Sequence, residues 1–251
     1  MSTGRILTLD EVRGRLAPRG AILTGDHVVL TPKAKGHFHA PGYFDKDRVL
    51  SDPVSLLAIC HEIARRFADD GIEAIAAPTI AGVSLAAVIA VEMYRMTGQD
   101  CLNWGYAEEV EEAIEVCRVV DGVVSEKRET LLVPTKSRRV IKRCFPDYFK
   151  GKRTLVGEDV FSSGGSAKLT IDASREVGAD VVGVAVVCNR SGLTAVDFGV
   201  PKLEVLFDIP MLMYPEEDCP LCQANVPINM QVGHGAKFFA RHPESQVPRK
   251  Q

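Results

Sequence analysis

The segment TLVGEDVFSSGGSA, residues 154–167, constrains the fold more tightly than any other part of the chain. A short apolar run is followed at once by the acidic pair Glu158 and Asp159. The small-residue loop 162–166 comes next, and then the helix-like stretch AKLTIDASREVG. A strand that ends in a Ser/Gly loop opening a helix is the geometry of an anion site. Gly164 and Gly165 lack Cβ, so the backbone there can turn sharply and approach a phosphate. The first turn of the helix leaves N–H groups without intrahelical partners and adds the positive end of its dipole. The hydroxyls of Ser162, Ser163 and Ser166 supply further donors. Two carboxylates would repel the phosphate itself, so Glu158 and Asp159 must serve another part of the same ligand. Ribose hydroxyls, with a magnesium ion nearby, suit carboxylate oxygens. A Walker A loop is excluded because no Gly-Lys-Ser/Thr closes the segment, and the glycines lack the G-x-G-x-x-G spacing of a dinucleotide fingerprint.

With 251 residues, 46% of them hydrophobic, the chain can bury one α/β core with additions. The formal charge of −3 provides neither a basic field for nucleic acid nor a polybasic membrane anchor. The N-terminus MSTGRILTLDEVRGRL lacks the apolar centre of a signal peptide, and the longest apolar stretch, 82–94, is too short for a bilayer and contains Glu92. Seven cysteines, an odd number in no dense framework, point to reduced thiols. The expectation is a soluble cytoplasmic protein.

Apolar runs alternate with helix signals along the chain. Asp52 can cap a helix with Pro53 in its first turn and Gly71 beyond its end. Residues 72–77 (IEAIAA) read as a buried strand, and 82–98 as a helix. Strands are expected at 101–107, 139–145, 153–157, 180–189 and 203–209, with a helix over 165–177. An N-terminal strand with a turn at Gly25 and Asp26 precedes a turn-rich stretch, 36–47. Residues 108–139 read as charged and irregular, acidic in the first half and basic in the second. The alternation argues for a mostly parallel sheet flanked by helices, with ligands beyond the carboxyl ends of its strands.

The run Leu155, Val156, Gly157, Glu158, Asp159, Val160, Phe161, Ser162, Ser163, Gly164, Gly165, Ser166 resembles the phosphoribosyl-diphosphate signature of type I phosphoribosyltransferases. Gly157 stands where a branched apolar residue is usual. The resemblance implies that family's α/β fold, with an N-terminal base-binding or hood segment at 1–50, a core at 51–210 and a C-terminal extension at 211–251. It implies transfer of ribose 5-phosphate from phosphoribosyl diphosphate to a nucleobase, magnesium as cofactor, and a homodimer. Glu158 and Asp159 would hold the ribose hydroxyls and, indirectly, the magnesium. Thr79, Ile80, Ala81 and Gly82 match the diphosphate loop, in which a non-proline cis peptide is frequent. Orotate-type members usually carry a lysine at the position of Ala81. Segment 106–143 matches the mobile hood; its cations Arg138, Arg139, Lys142 and Arg143 are available to the leaving diphosphate, with Lys142 and Arg143 favoured.

Two further segments resemble the orotate-type subgroup. Residues 36–47 resemble its N-terminal substrate segment, with His39 near the basic position and Tyr43 and Phe44 as the aromatic pair. VVCNRSG, 186–192, resembles the strand end at which an arginine grips the orotate carboxylate. Arg190 suits that role because its planar fork can engage a carboxylate with two bonds. The alternative is a binding protein of the same fold that senses phosphoribosyl diphosphate or a nucleotide without catalysis; the alanine at position 81 favours it. Finally, Cys219 and Cys222 in CPLC have the spacing of two zinc ligands. No second C-x-x-C exists, so a pair of reduced thiols is the favoured reading, with His234 or Cys188 as the residues that would complete a zinc site. Tails carrying CPLC, VPIN and VGHG accompany prokaryotic orotate phosphoribosyltransferase-like proteins, and the resemblance extends over 36–239.

Overall fold

The computed structural model describes residues 5–30, 36–99, 102–120 and 123–241. The chain opens with α1 (Leu9–Leu16), capped by Thr8, whose side chain accepts from Glu11 N while Glu11 returns the bond to Thr8 N. Two antiparallel strands follow, β1 (Ile22–Val29) and β2 (Phe38–Phe44). The turn expected at Gly25 and Asp26 is instead an irregularity inside β1. Thr24 pairs with Gly42 and Val28 with Ala40, so β1 carries extra residues there, and Gly25 takes φ +73. The stretch 36–47 is likewise mostly strand. Its Gly42 is required by close approach, since a Cβ would sit 2.4 Å from the Leu23 carbonyl oxygen.

Short α2 (Lys46–Leu50) leads to α3 (Pro53–Arg66), where Asp52 accepts from Ser55 N at 3.2 Å as its N-cap and pairs with Arg15 at 2.7 Å. The core sheet then assembles from β3 (Ala74–Pro78), β4 (Asn103–Val120), β5 (Val123–Val140), β6 (Arg153–Phe161), β7 (Asp180–Asn189) and β8 (Lys202–Asp208). Its order is β5-β4-β3-β6-β7-β8, parallel throughout except for β5. Helices α4 (Ala81–Thr97), α5 (Phe145–Phe149), α6 (Gly165–Glu176) and α7 (Ala195–Phe198) connect the strands.

Both sheet faces are buried, and the two-residue period of the strands divides the core. Ile75, Ala77, Ala185 and Val187 pack with Ile63, Phe67, Leu85 and Ile89 on one side. Their neighbours Ala74, Ala76, Val184 and Val186 pack with Phe149, Phe161, Ile171 and Phe198 on the other. Each such large side chain contributes about 1.5–3 kcal/mol by burial.

The segment read as irregular, 108–139, forms an antiparallel ribbon of two long strands instead. Its acidic strand faces its basic strand. Glu109 lies opposite Arg139, and Arg128 reaches Glu115 at 2.9 Å. The charge halves were visible in the sequence; their pairing supplies the order that periodicity did not show. The strand expected over 139–145 ends at Val140, and α5 begins at Phe145.

Beyond the core, β9 (Tyr214–Pro215) pairs with β2, so the two ends of the chain share one three-stranded sheet. The extension continues through α8 (Pro220–Gln223) to α9 (Gly235–Arg241). Between them it lies along β1: Asn229 N donates to His27 O at 2.7 Å and His234 N to Val29 O at 2.8 Å. Gly233 permits that approach, with φ +63 and a Cβ position only 2.4 Å from the Val29 carbonyl oxygen. No helix among the described residues is long and apolar enough to cross a membrane.

Candidate active site

From β3 the chain runs to β4 on one side and later returns to β6 on the other. The order of strands therefore reverses beside β3, and ligands of open parallel sheets bind beyond the strand ends at such a point. The loops after β3, β6 and β7 gather there.

The loop after β6 opens α6 with small residues. Gly164 caps α6 at φ +68, and Ser163, Gly165 and Ser166 remain exposed at the helix N-terminus. A Cβ on Gly164 would lie 2.7 Å from Leu193 Cδ1 and 2.8 Å from Phe198 Cζ. Left-handed backbone and close packing thus both demand glycine. Gly164→Ala should destabilise the fold by about 2–4 kcal/mol, from backbone strain plus overpacking. Urea denaturation measures this; an unchanged midpoint would refute the packing argument.

The loop after β3 faces it. The Thr79–Ile80 peptide is cis, Thr79 N donates to Ala107 O at 3.2 Å, and α4 starts at Ala81. Gly82 is buried against Ala77 and Pro78, each 2.9 Å from the position of a Cβ. Arg139, only 7% exposed, ties this loop to the ribbon. Its Nη1 donates to Thr79 Oγ1 at 3.1 Å and to Ala107 O at 3.0 Å, and its Nη2 lies 3.5 Å from Glu109. A cavity of about 350 Å³ opens between the ribbon and α6, bordered by Glu109, Arg138, Arg139, Ser163 and Ser166. The two favoured hood cations lie elsewhere. Lys142 is exposed, and Arg143 stacks over the Tyr106 ring at 5.6 Å while pairing with Glu108 at 2.9 Å.

Glu158 and Asp159 are both buried at the end of β6. Glu158 Oε1 accepts from Asp159 N at 3.0 Å, whereas Oε2 has no hydrogen-bond partner among the described residues. Burial, and then the adjacent Asp159, push the Glu158 carboxyl well above the usual carboxylate range. Asp159 Oδ1 accepts from Val160 N at 2.6 Å, and Oδ2 meets Lys46 Nζ at 2.8 Å. Burial opposes the charge on Lys46, yet Asp159 raises its pKa overall. Sequence reading passed over Lys46. Its only signal was a lysine two residues after the aromatic pair.

Arg190 completes the group. Its Nη2 donates to Ser162 Oγ in the anion loop, while its buried Nε has no partner among the described residues. Burial lowers the pKa of this guanidinium. Tyr43 is half-buried near it, and burial, then Asp45, raise the phenol above its usual range. Phe44, the next residue on β2, points the opposite way into the core, 6.2 Å from the Phe207 ring, as strand alternation requires. His39 is four residues from Tyr43, about 13 Å along the strand, and fully buried. Neither Phe44 nor His39 is brought to Arg190.

This fold is that of type I phosphoribosyltransferases. A solved structure of Mycobacterium tuberculosis orotate phosphoribosyltransferase, in complex with Fe(III) dicitrate, matches it with a TM-score of 0.52 over 80% of this chain and 95% of that one, at 19% identity. No family model matches the chain. Orotate phosphoribosyltransferase of Pelotomaculum thermopropionicum is 31% identical over 221 residues, 88% of this chain and 95% of that protein. The protein of the same name from Chlorobaculum parvum is 30% identical over 227 residues, 89% and 95% of the two chains. The chain belongs to the orotate phosphoribosyltransferase family.

Proposed function

We propose that this chain transfers the 5-phosphoribosyl group from phosphoribosyl diphosphate to orotate and releases diphosphate. The observation that carries the reading is Arg190, a half-buried cation beside the 162–166 loop whose buried Nε has no hydrogen-bond partner among the described residues. A planar base bearing a carboxylate would satisfy that donor and pair with the partly desolvated charge. Tyr43 lies on the same side and would cover the base.

The loop 162–166 and the N-terminus of α6 hold the 5-phosphate, while residues 79–82 and the start of α4 hold the diphosphate. Arg139 fixes the second loop and places a cation near it, which offsets the absence of lysine at Ala81. Glu158 and Asp159 bind the ribose hydroxyls. As the anomeric C–O bond to diphosphate breaks and the bond to the base nitrogen forms, positive charge grows on the sugar, and Asp159 opposes it directly. Of the hood cations, Arg138 and Arg139 border the cavity and would serve the departing diphosphate, whereas Lys142 and Arg143 do not border it. Members of the family generally use a divalent metal with the sugar diphosphate; here we assign magnesium. The donor set fits a hard cation, since both acids offer carboxylate oxygen and Glu158 Oε2 has no partner among the described residues. When bound, the ion neutralises charge on the diphosphate. A homodimer is the proposed solution state.

One observation favours a second reading, a non-catalytic sensor of the sugar diphosphate: Ala81 stands where orotate-type members carry lysine. Incubation with phosphoribosyl diphosphate, magnesium and either orotate, uracil or adenine separates the two. Nucleotide and diphosphate should form with orotate alone. Binding of the sugar diphosphate without product from any base would favour the sensor.

A further inference from the structure

The proposed transfer chemistry uses no residue of the C-terminal extension, yet its two cysteines meet two histidines from the other end of the chain. Cys219 immediately precedes α8 and Cys222 lies within it; His27 is on β1 and His39 on β2. His27, His39 and Cys219 are all at most 1% exposed. One donor atom from each of the four residues lies within 4.8 Å of the others. His27 Nε2 is 2.9 Å from His39 Nδ1 and 3.7 Å from each sulfur, and Cys222 Sγ is 3.2 Å from His39 Nδ1. A zinc ion with tetrahedral bonds of about 2.0–2.3 Å to nitrogen and sulfur separates its ligands by about 3.3–3.8 Å, so the cluster already has nearly the required size.

The surroundings also suit a metal. His27 Nδ1 lies 2.7 Å from the Val226 carbonyl oxygen and donates its hydrogen there. That bond leaves Nε2 as the lone-pair nitrogen facing the cluster, the usual outer-shell arrangement of a ligating histidine. His39 packs edge-on against the Phe238 ring at 5.4 Å, which helps exclude water. The residues named from sequence as completing ligands are not the ones assembled. His234 spends its backbone N–H on β1, and Cys188 is buried in β7.

We propose that His27, His39, Cys219 and Cys222 form a closed tetrahedral site for a structural zinc ion that fastens the C-terminal extension to the N-terminal hairpin. Two thiolates and two imidazoles at tetrahedral spacing select zinc over magnesium or calcium. Four protein ligands leave no open position, so the role is structural. The ion sits near the start of β2, the strand whose other end carries Tyr43, and holds that strand in register with the extension.

Metal analysis of the intact chain, expressed with zinc and freed of loose metal by brief chelation, tests the site without reference to transfer activity. About one zinc per chain is expected, falling below about a tenth in Cys219→Ser and in His39→Asn. Cys144→Ser, at an exposed cysteine outside the cluster, should retain the full content. Because a ligand variant could misfold, the unaltered chain is also loaded with cobalt(II). A tetrahedral visible spectrum with a thiolate charge-transfer band is expected. A folded parent chain that holds no zinc and gives no such spectrum overturns the proposal. So does full zinc retention in both ligand variants, or a disulfide between Cys219 and Cys222 in freshly purified protein.

Discussion

Asp159→Asn should lower kcat/KM for nucleotide formation by at least about 10²-fold while leaving the fold intact. The substitution is nearly isosteric, and the asparagine carbonyl can still accept from Val160 N, which now donates to Oδ1 at 2.6 Å. What disappears is the charge. Asp159 is the carboxylate that Lys46 holds in place at 2.8 Å, beside a Glu158 whose own ionisation burial and Asp159 disfavour. Without it, nothing at the end of β6 offsets the positive character developing on the ribose. The Lys46 side chain is 41% exposed, so its orphaned charge remains hydrated and stability should fall by less than about 1 kcal/mol. A second readout distinguishes electrostatics from a displaced loop. Removing the neighbouring charge lowers the pKa of Glu158, so the acidic limb of any residual pH–rate profile should move toward lower pH. Melting temperature, kcat/KM and that limb can be measured on the same preparation. Activity within about threefold of the parent would remove Asp159 from the proposed transition-state role.

The parts of the fold legible in the sequence were those set by local chemistry. Residues 180–189 read as a strand because an unbroken apolar run between a glycine-ended helix and a turn has few other outcomes, and β7 is Asp180–Asn189. Asp52 and Pro53 marked the start of α3 because capping needs only neighbouring residues. The strand–loop–helix turn at 162–166 was legible for the same reason. Long-range pairing was not. The ribbon looked irregular because glutamates interrupt its hydrophobic pattern, and its order comes from antiparallel pairing with a strand distant in sequence. Asp121 and Gly122, between the two strands in sequence, lie outside the described residues, but an Asp-Gly pair is a strong hairpin signal. Lys46 and Asp159 meet only because the end of β2 lies beside the end of β6. The resemblance puts His39 near the basic position of the substrate segment, whereas strand rise carries it away from Tyr43 and places it beside His27 and Cys222.

Arg190→Ala should raise the KM for orotate by about 10²-fold or more, the expected loss when one partner of a buried charged pair is removed. Arg190 directly follows β7, and its backbone N donates to Phe161 O at 3.0 Å, so the side chain starts from a fixed base. Its Nη2 bond to Ser162 Oγ joins base recognition to the anion loop, and some weakening of sugar-diphosphate binding should accompany the change. The larger effect should fall on the base. Selectivity for orotate over uracil, which lacks the carboxylate, should collapse because the charged contact is lost for only one of them. Arg190→Lys refines the test. Lysine keeps the charge but replaces a planar two-bond fork with a point donor, so orotate use should recover only in part. Steady-state constants for both bases, with sugar-diphosphate affinity measured separately by calorimetry, resolve these contributions. If Arg190→Ala uses orotate as well as the parent does, the carboxylate is held by another group. The open Nε donor would then belong to the phosphate end of the site, and the acceptor base would have to be sought among rings without an acid.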